Sequence, residues 1–150
     1  GGSAHCASHH VADYVKTAAV DGHRRLRGIS LVDNVGMLTA LSNDLGYDEV
    51  FVHQLESLAR AGDLAVAISG SGNSPNVLHA VDWANRYGLK TFGLTGYNGG
   101  TLKQRQQDGL HIELVIDPAH PVGQLHPAGL GEPAPASFRR PAPPRRSRHH

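Results

Sequence analysis

Residues 64–75 limit the possible folds more than any other stretch. An apolar run, residues 64–68, stops at Ser69, Gly70, Ser71, Gly72, Asn73 and Ser74. Pro75 follows, and then Val77, Leu78, Val81, Trp83 and Ala84 recur at helical spacing. This order predicts a buried strand, a turn rich in glycine and hydroxyls, and a helix. Ser74 stands where an N-cap belongs and Pro75 where the first helical residue belongs. A turn of this kind aims backbone N–H groups and hydroxyls at one point in front of a helix N-terminus, which suits a phosphate. No lysine follows the glycines, so this is not a nucleotide P-loop, and the G-x-G-x-x-G spacing of a dinucleotide site is absent. The plain alternative is an ordinary strand–helix turn.

The flanking sequence repeats the same grammar. Ala4, Ala7, Val11, Tyr14, Val15 and Ala18 predict a helix that starts directly after Gly1, Gly2 and Ser3. Residues 27–31 (RGISL) predict a short strand, with Val32 and Asp33 at its carboxyl end. Asn34 is placed to cap a helix that ends at Asn43, Asp44, Leu45 and Gly46. Residues 47–61 predict another helix, ended by Gly62 and Asp63. The helix from Pro75 runs to about Tyr87 and stops at Gly88. Residues 90–95 predict a strand closing on GYNGG, residues 101–107 a short helix, and residues 110–116 a last strand. Alternation of this kind implies an α/β fold, a parallel sheet with helices on both faces. Ligands in such sheets sit at the carboxyl ends of the strands, where residues 69–74 lie.

Composition divides the 150 residues near Asp117. Eight of the nine prolines lie in residues 117–150, and Phe138 is the single aromatic there. Such a segment cannot bury enough apolar surface to offset chain entropy, so residues 117–150 are expected to be a disordered tail after a globular domain of residues 1–116. A net charge of +1 argues against a nucleic-acid partner, although five arginines between Arg139 and Arg148 give the tail a local positive field. The lone cysteine, Cys6, excludes an internal disulfide framework and fits a reducing cytoplasm. No apolar run approaches membrane-spanning length, and no signal peptide is visible. A start at Gly1 without Met suggests a fragment or a processed product.

Two polar groups stand apart from the glycine-rich turn. His5, His9 and Asp13 fall four residues apart on the first helix, so His9 and Asp13 share a face. They suit a metal or a substrate hydroxyl, and equally an ordinary surface pair. Asn43 and Asp44 are candidates for substrate contact, and equally helix-ending turn residues.

Taken together, GGSA-x4-H-x3-D, SNDLGYDEVF, AISGSGNSPNV and GLTGYNGG, in that order within residues 1–116, resemble the SIS (sugar isomerase) domain. Within it the pattern is most similar to the phosphoheptose isomerases, which interconvert sedoheptulose 7-phosphate and D-glycero-D-manno-heptose 7-phosphate. The resemblance implies a three-layer, doubly wound parallel sheet of the flavodoxin-like kind. It implies that Ser69, Ser71 and Ser74 bind the sugar phosphate, helped by the backbone of Gly70 and Gly72. It also implies that Gly1, Gly2 and Ser3 approach the substrate as the end of a G-N-G-G-S loop, and that Asn43 and Asp44 contact it. His9 matches a zinc ligand of the metal-containing members. Asp13 stands where those members usually carry a glutamate that serves as ligand and as acid/base. One zinc per subunit and a homotetramer with shared sites are further implications.

Three departures separate this chain from the pattern. Asp13 is one methylene shorter than the usual glutamate, and a misplacement of about an ångström can cost roughly 100-fold in rate. The family's last helix carries a Gln and, two turns on, a His; here Gln124 and His126 stand two apart among prolines and are not assigned. The change near Asp117 suggests a shifted reading frame or an altered end. The N-terminal helix and first strand expected before Gly1, through which members assemble, are missing. A second reading, from another class, is therefore a non-catalytic SIS protein that senses a sugar phosphate or binds the bacterial replication initiator DnaA. A third treats the arginine-rich tail as a nucleic-acid contact.

Overall fold

The computed structural model describes residues 1–112. The tail 117–150, Gln124, His126 and the end of the expected last strand, residues 113–116, lie outside the described residues. The chain opens with helix α1 (Gly2–Ala12), which continues through a wider turn, Asp13–Thr17. Helix α2 (Val35–Asp44) follows, then a tight single turn (Tyr47–Glu49) and helix α3 (Val52–Leu58). Strand β1 (Leu64–Ser69), helix α4 (Pro75–Arg86), strand β2 (Lys90–Thr95), the short helix α5 (Leu102–Arg105) and strand β3 (Asp108–His111) complete the described part.

The three strands form one parallel sheet in the order β1-β2-β3. The register pairs Ser69 with Thr95 and Thr95 with His111, so the strand ends align at one edge of the sheet. The α/β architecture with a parallel sheet thus follows the sequence expectation.

The signals that start and stop the helices act as their residue types require. Asn34 caps α2 by accepting the Met37 N–H at Oδ1, 3.0 Å away. Pro75 opens α4. At the other end of α4, Gly88 takes a φ of +78° and the Leu89 N–H reaches the Ala84 carbonyl at 3.0 Å. That six-to-one bond is the Schellman closure that a glycine allows. The wrapped turn drops Leu89 into the core with Val52, Trp83 and Ala84, against which Leu55, Ala59 and Ala65 pack. Burying side chains of this size stabilises the fold by about 1.5–3 kcal/mol each for the larger ones. The core therefore fixes α3 and α4 on β1, and with them the direction in which α4 points its N-terminus.

The structure corrects several boundaries. Residues 27–31 form no strand. Side chains from other elements meet the segment instead: the Ser30 hydroxyl lies 3.4 Å from that of Ser8 on α1, and the Leu31 carbonyl accepts from Gln54 Nε2 at 3.0 Å. The helix expected over 47–61 is broken into the tight turn and α3. Val50 is fully buried and Glu49 is tied to His79 on α4 at 3.0 Å, which holds this turn against α4. Asp63 then closes the segment by accepting the Arg60 N–H at 2.9 Å. The short helix expected over 101–107 narrows to α5, and β3 pairs from Asp108 rather than from Leu110. β1 is not buried on both faces: Ala65 faces the core, whereas Leu64 is 62 % exposed.

Candidate functional site

The loop 69–74 leaves β1 at the sheet's carboxyl edge and ends at the N-terminus of α4. Ser69 at the strand end is buried, Ser71 is exposed, and Ser74 at the start of α4 is half-buried. Ser69 Oγ accepts the Gly72 N–H at 3.2 Å and lies 3.3 Å from Ser74 Oγ. Ser71 Oγ accepts the Asn73 N–H at 3.2 Å. Gly72 turns the chain with a φ of +67°, the left-handed region that favours glycine.

Ser74 is the N-cap by backbone position, but its hydroxyl makes no cap bond; it faces Ser69 instead. The N–H groups of Ser71, Ser74 and Asn76 make no hydrogen bond among the described residues. Free N–H groups, adjacent hydroxyls and the positive end of the α4 dipole therefore meet at one place. This arrangement can hold an anion with several acceptor oxygens, and phosphate is the natural match.

The remaining predicted residues form separate groups. Gly1, Gly2 and Ser3 are exposed at the start of α1, and a Cβ at either glycine would meet nothing. Packing within this chain thus gives no reason for glycine there. His9 Nε2 lies 3.4 Å from Asp13 Oδ2, with side chains 78 % and 52 % exposed. Asn43 donates to Asp44 at 2.8 Å at the end of α2, and both are exposed. Among the described residues, no hydrogen bond joins these pairs to the loop 69–74. α1 does pack beside β1, on the strand that carries the loop.

Zinc takes three or four protein ligands. His9 and Asp13 are two, and no group of three His, Cys, Asp or Glu side chains able to hold a metal occurs among the described residues. The described residues alone therefore do not fit the ion.

The sequence reading missed the structure's second loop as part of this place. Residues 96–101, after β2, lie against the loop 69–74 through the Gly96 N–H to the Gly70 carbonyl, 2.9 Å, and the Leu102 N–H to the Gly72 carbonyl, 2.8 Å. Thr101 donates to Asn73 Oδ1 through both its N–H and its hydroxyl, each at 2.9 Å. The available signal was the Gly99–Gly100 pair directly after a strand.

The geometry agrees with what the chain resembles over about two thirds or more of its length. A family model described as the SIS domain matches residues 1–96. The chain belongs to the SIS domain family. This SIS domain is similar to the phosphoheptose isomerase of Aliarcobacter butzleri, 46% identical over 104 residues that make up 69% of this chain and 54% of the relative. It is similar to the probable phosphoheptose isomerase of Thermoplasma acidophilum, 41% identical over 118 residues, 75% of this chain and 62% of that protein. Among solved structures, phosphoheptose isomerase from Neisseria gonorrhoeae matches with a TM-score of 0.69 at 36% identity, covering 77% of this chain and 61% of that one. The SIS domain described here spans about half the length of the curated relatives it matches. Among its described residues, no helix is long and apolar enough to cross a membrane.

Proposed function

We propose that this SIS domain belongs to a sugar-phosphate isomerase of the phosphoheptose type, converting sedoheptulose 7-phosphate to D-glycero-D-manno-heptose 7-phosphate. The observation that carries the reading is the loop 69–74, which brings Ser69, Ser71, Ser74 and N–H groups unpaired among the described residues to the N-terminus of α4. The similarity to proteins named phosphoheptose isomerase supports the choice of sugar phosphate.

In this reading the loop grips the phosphate, with Gly70 and Gly72 allowing close approach of the backbone. Aldose–ketose isomerisation then moves a proton between C1 and C2 through an enediol. A base takes the proton from C1, and the C2 carbonyl oxygen gains a proton. Reprotonation at C2 and loss of the O1 proton give the aldehyde. Asp13 is the carboxylate assigned to this proton transfer, with Gly1, Gly2, Ser3, Asn43 and Asp44 approaching the sugar. A bound phosphate fixes the reacting carbons relative to that base, which is how a handle remote from the chemistry raises the rate. His9 is assigned as a metal ligand only in company with residues beyond those described, and the proposed reaction takes no step through zinc. The site is assigned to the cytoplasm and to a homo-oligomer.

Calorimetric titration with sedoheptulose 7-phosphate, followed by an assay for the aldose product, tests the proposal. Ser71→Ala and Ser74→Ala are each expected to weaken binding by about 1–3 kcal/mol, the cost of hydrogen bonds to a charged group. Unchanged affinity in both variants would make the loop structural. Binding without turnover would favour a sugar-phosphate sensor over an isomerase.

A further inference from the structure

We propose that Asn73 is the positioning residue of the phosphate loop, holding it in its anion-binding shape by tying it to the loop 96–101. The proposal rests on reading residues 69–74 as the phosphate site.

A single carboxamide spans the two loops. Asn73 Oδ1 accepts the Thr101 N–H and the Thr101 hydroxyl, each at 2.9 Å. Its Nδ2 donates to the Ser71 carbonyl at 3.1 Å, within the phosphate loop. The two loops are 28 residues apart in sequence at this link, so no local turn preference supplies it. The backbones are also too close for side chains. A Cβ on Gly72 would overlap the Gly99 carbonyl, and a Cβ on Gly100 would lie 2.7 Å from Asn73 Nδ2. To reach this position the second loop takes left-handed φ values at Tyr97 (52°), Gly99 (84°) and Gly100 (51°). Tyr97 is the informative member, because a non-glycine residue adopts that region only at a cost that the surroundings offset.

The link has an electrostatic consequence. Carbonyl oxygens repel an anion, whereas N–H groups attract it. The Ser71 carbonyl is engaged by Asn73 Nδ2 and the Gly72 carbonyl by the Leu102 N–H. Both oxygens are thereby turned to donors of the protein's own. The Ser71 and Ser74 N–H groups are left unpaired among the described residues. Asn73 acts through the Ser71 carbonyl and the link to Thr101, and its effect on ligand is indirect. Ordering the loop before binding spares the ligand that cost.

The test compares the full chain with Asn73→Ala, Thr101→Val and Thr101→Ser. Affinity is read by titration with inorganic phosphate and with sedoheptulose 7-phosphate. Loop order is read by hydrogen exchange of the amides of residues 70–74 without ligand. Asn73→Ala is expected to weaken sugar-phosphate binding about tenfold, the scale of lost pre-organisation. Its loop amides should exchange faster while those of β1 and β2 keep their protection. Thr101→Val should show a smaller loss, and Thr101→Ser, which keeps the hydroxyl, should bind as the unmodified chain does. Wild-type affinity and unchanged exchange in Asn73→Ala would overturn the role. If Asn73→Ala fails to fold, the threonine pair decides, and equal affinities of Thr101→Val and Thr101→Ser would overturn it. An unmodified chain that binds neither probe overturns the reading of the site itself, an outcome visible without any variant.

Discussion

At Gly72 the chain bends with a φ of +67°, and a Cβ there would meet the Gly99 carbonyl, backbone against backbone. Neither group is the flexible end of a side chain, so a substitution forces the two loops apart. Gly72→Ala is expected to destabilise the protein by about 1–3 kcal/mol, as for a residue forced into a rare φ, with added loss from the overlap. Denaturant unfolding measures it; an unchanged midpoint would mean that the loops separate at no cost. The reason Gly72 is glycine was only half legible. The turn itself announces a glycine, but the carbonyl that excludes a Cβ comes from residue 99. Asn73 was illegible for the same reason. Its partner Thr101 lies on another loop, and nothing in SGNS distinguishes an asparagine that braces from one that merely turns. The place of Ser69 was legible because the carboxyl end of a strand is fixed by local structure alone, whereas the hydroxyl of Ser74 turns to Ser69 rather than capping α4.

Elements were legible where both their signals are local. α4 shows a serine at the N-cap position, a proline, a periodic apolar face and a terminal glycine; the last three act as their types imply, whereas the Ser74 hydroxyl turns to Ser69 instead of capping. α2 shows Asn34 at its start, and the side chain makes the bond its position implies. Asn34→Ala is therefore expected to cost about 1 kcal/mol, the usual loss of an N-cap, and Asn34→Asp to restore most of it. Thermal unfolding of both variants checks this, and equal loss in the two would show that the cap bond does not stabilise α2. Residues 27–31 illustrate the opposite case. Ile29 and Leu31 alternate as a strand would, but a strand exists only with a ladder partner. Here Gln54 claims the Leu31 carbonyl and Ser8 approaches Ser30. Strand propensity describes what a segment can pair with, and no described strand offers residues 27–31 a ladder, while a distant side chain takes the Leu31 carbonyl. The break between the tight turn and α3 has a similar source, because Glu49 is tied to His79 on α4 and Val50 is fully buried.

At the scale of the molecule, binding and chemistry are assigned to different elements. The proposed phosphate grip lies between β1 and α4, and the proposed carboxylate, Asp13, opens the wider turn that continues α1, the helix that packs beside β1. That separation makes the two functions independently measurable. A change confined to the reach of the carboxylate should alter the chemical step and leave the grip on phosphate alone. Asp13 is 52 % exposed at the side chain and touches no residue of the phosphate loop, so lengthening it by one methylene disturbs no packing. Asp13→Glu is therefore expected to raise kcat by about 10-fold to 100-fold, the scale of an ångström's correction in a proton-transfer geometry, with the affinity for sedoheptulose 7-phosphate unchanged. Asp13→Asn should abolish turnover and likewise keep the affinity. Steady-state kinetics give kcat, and titration gives the affinity separately. A fall in affinity in both variants would place Asp13 in the grip instead. Equal kcat in the aspartate, glutamate and asparagine forms would remove position 13 from the proton transfer and direct the search for the base to other residues.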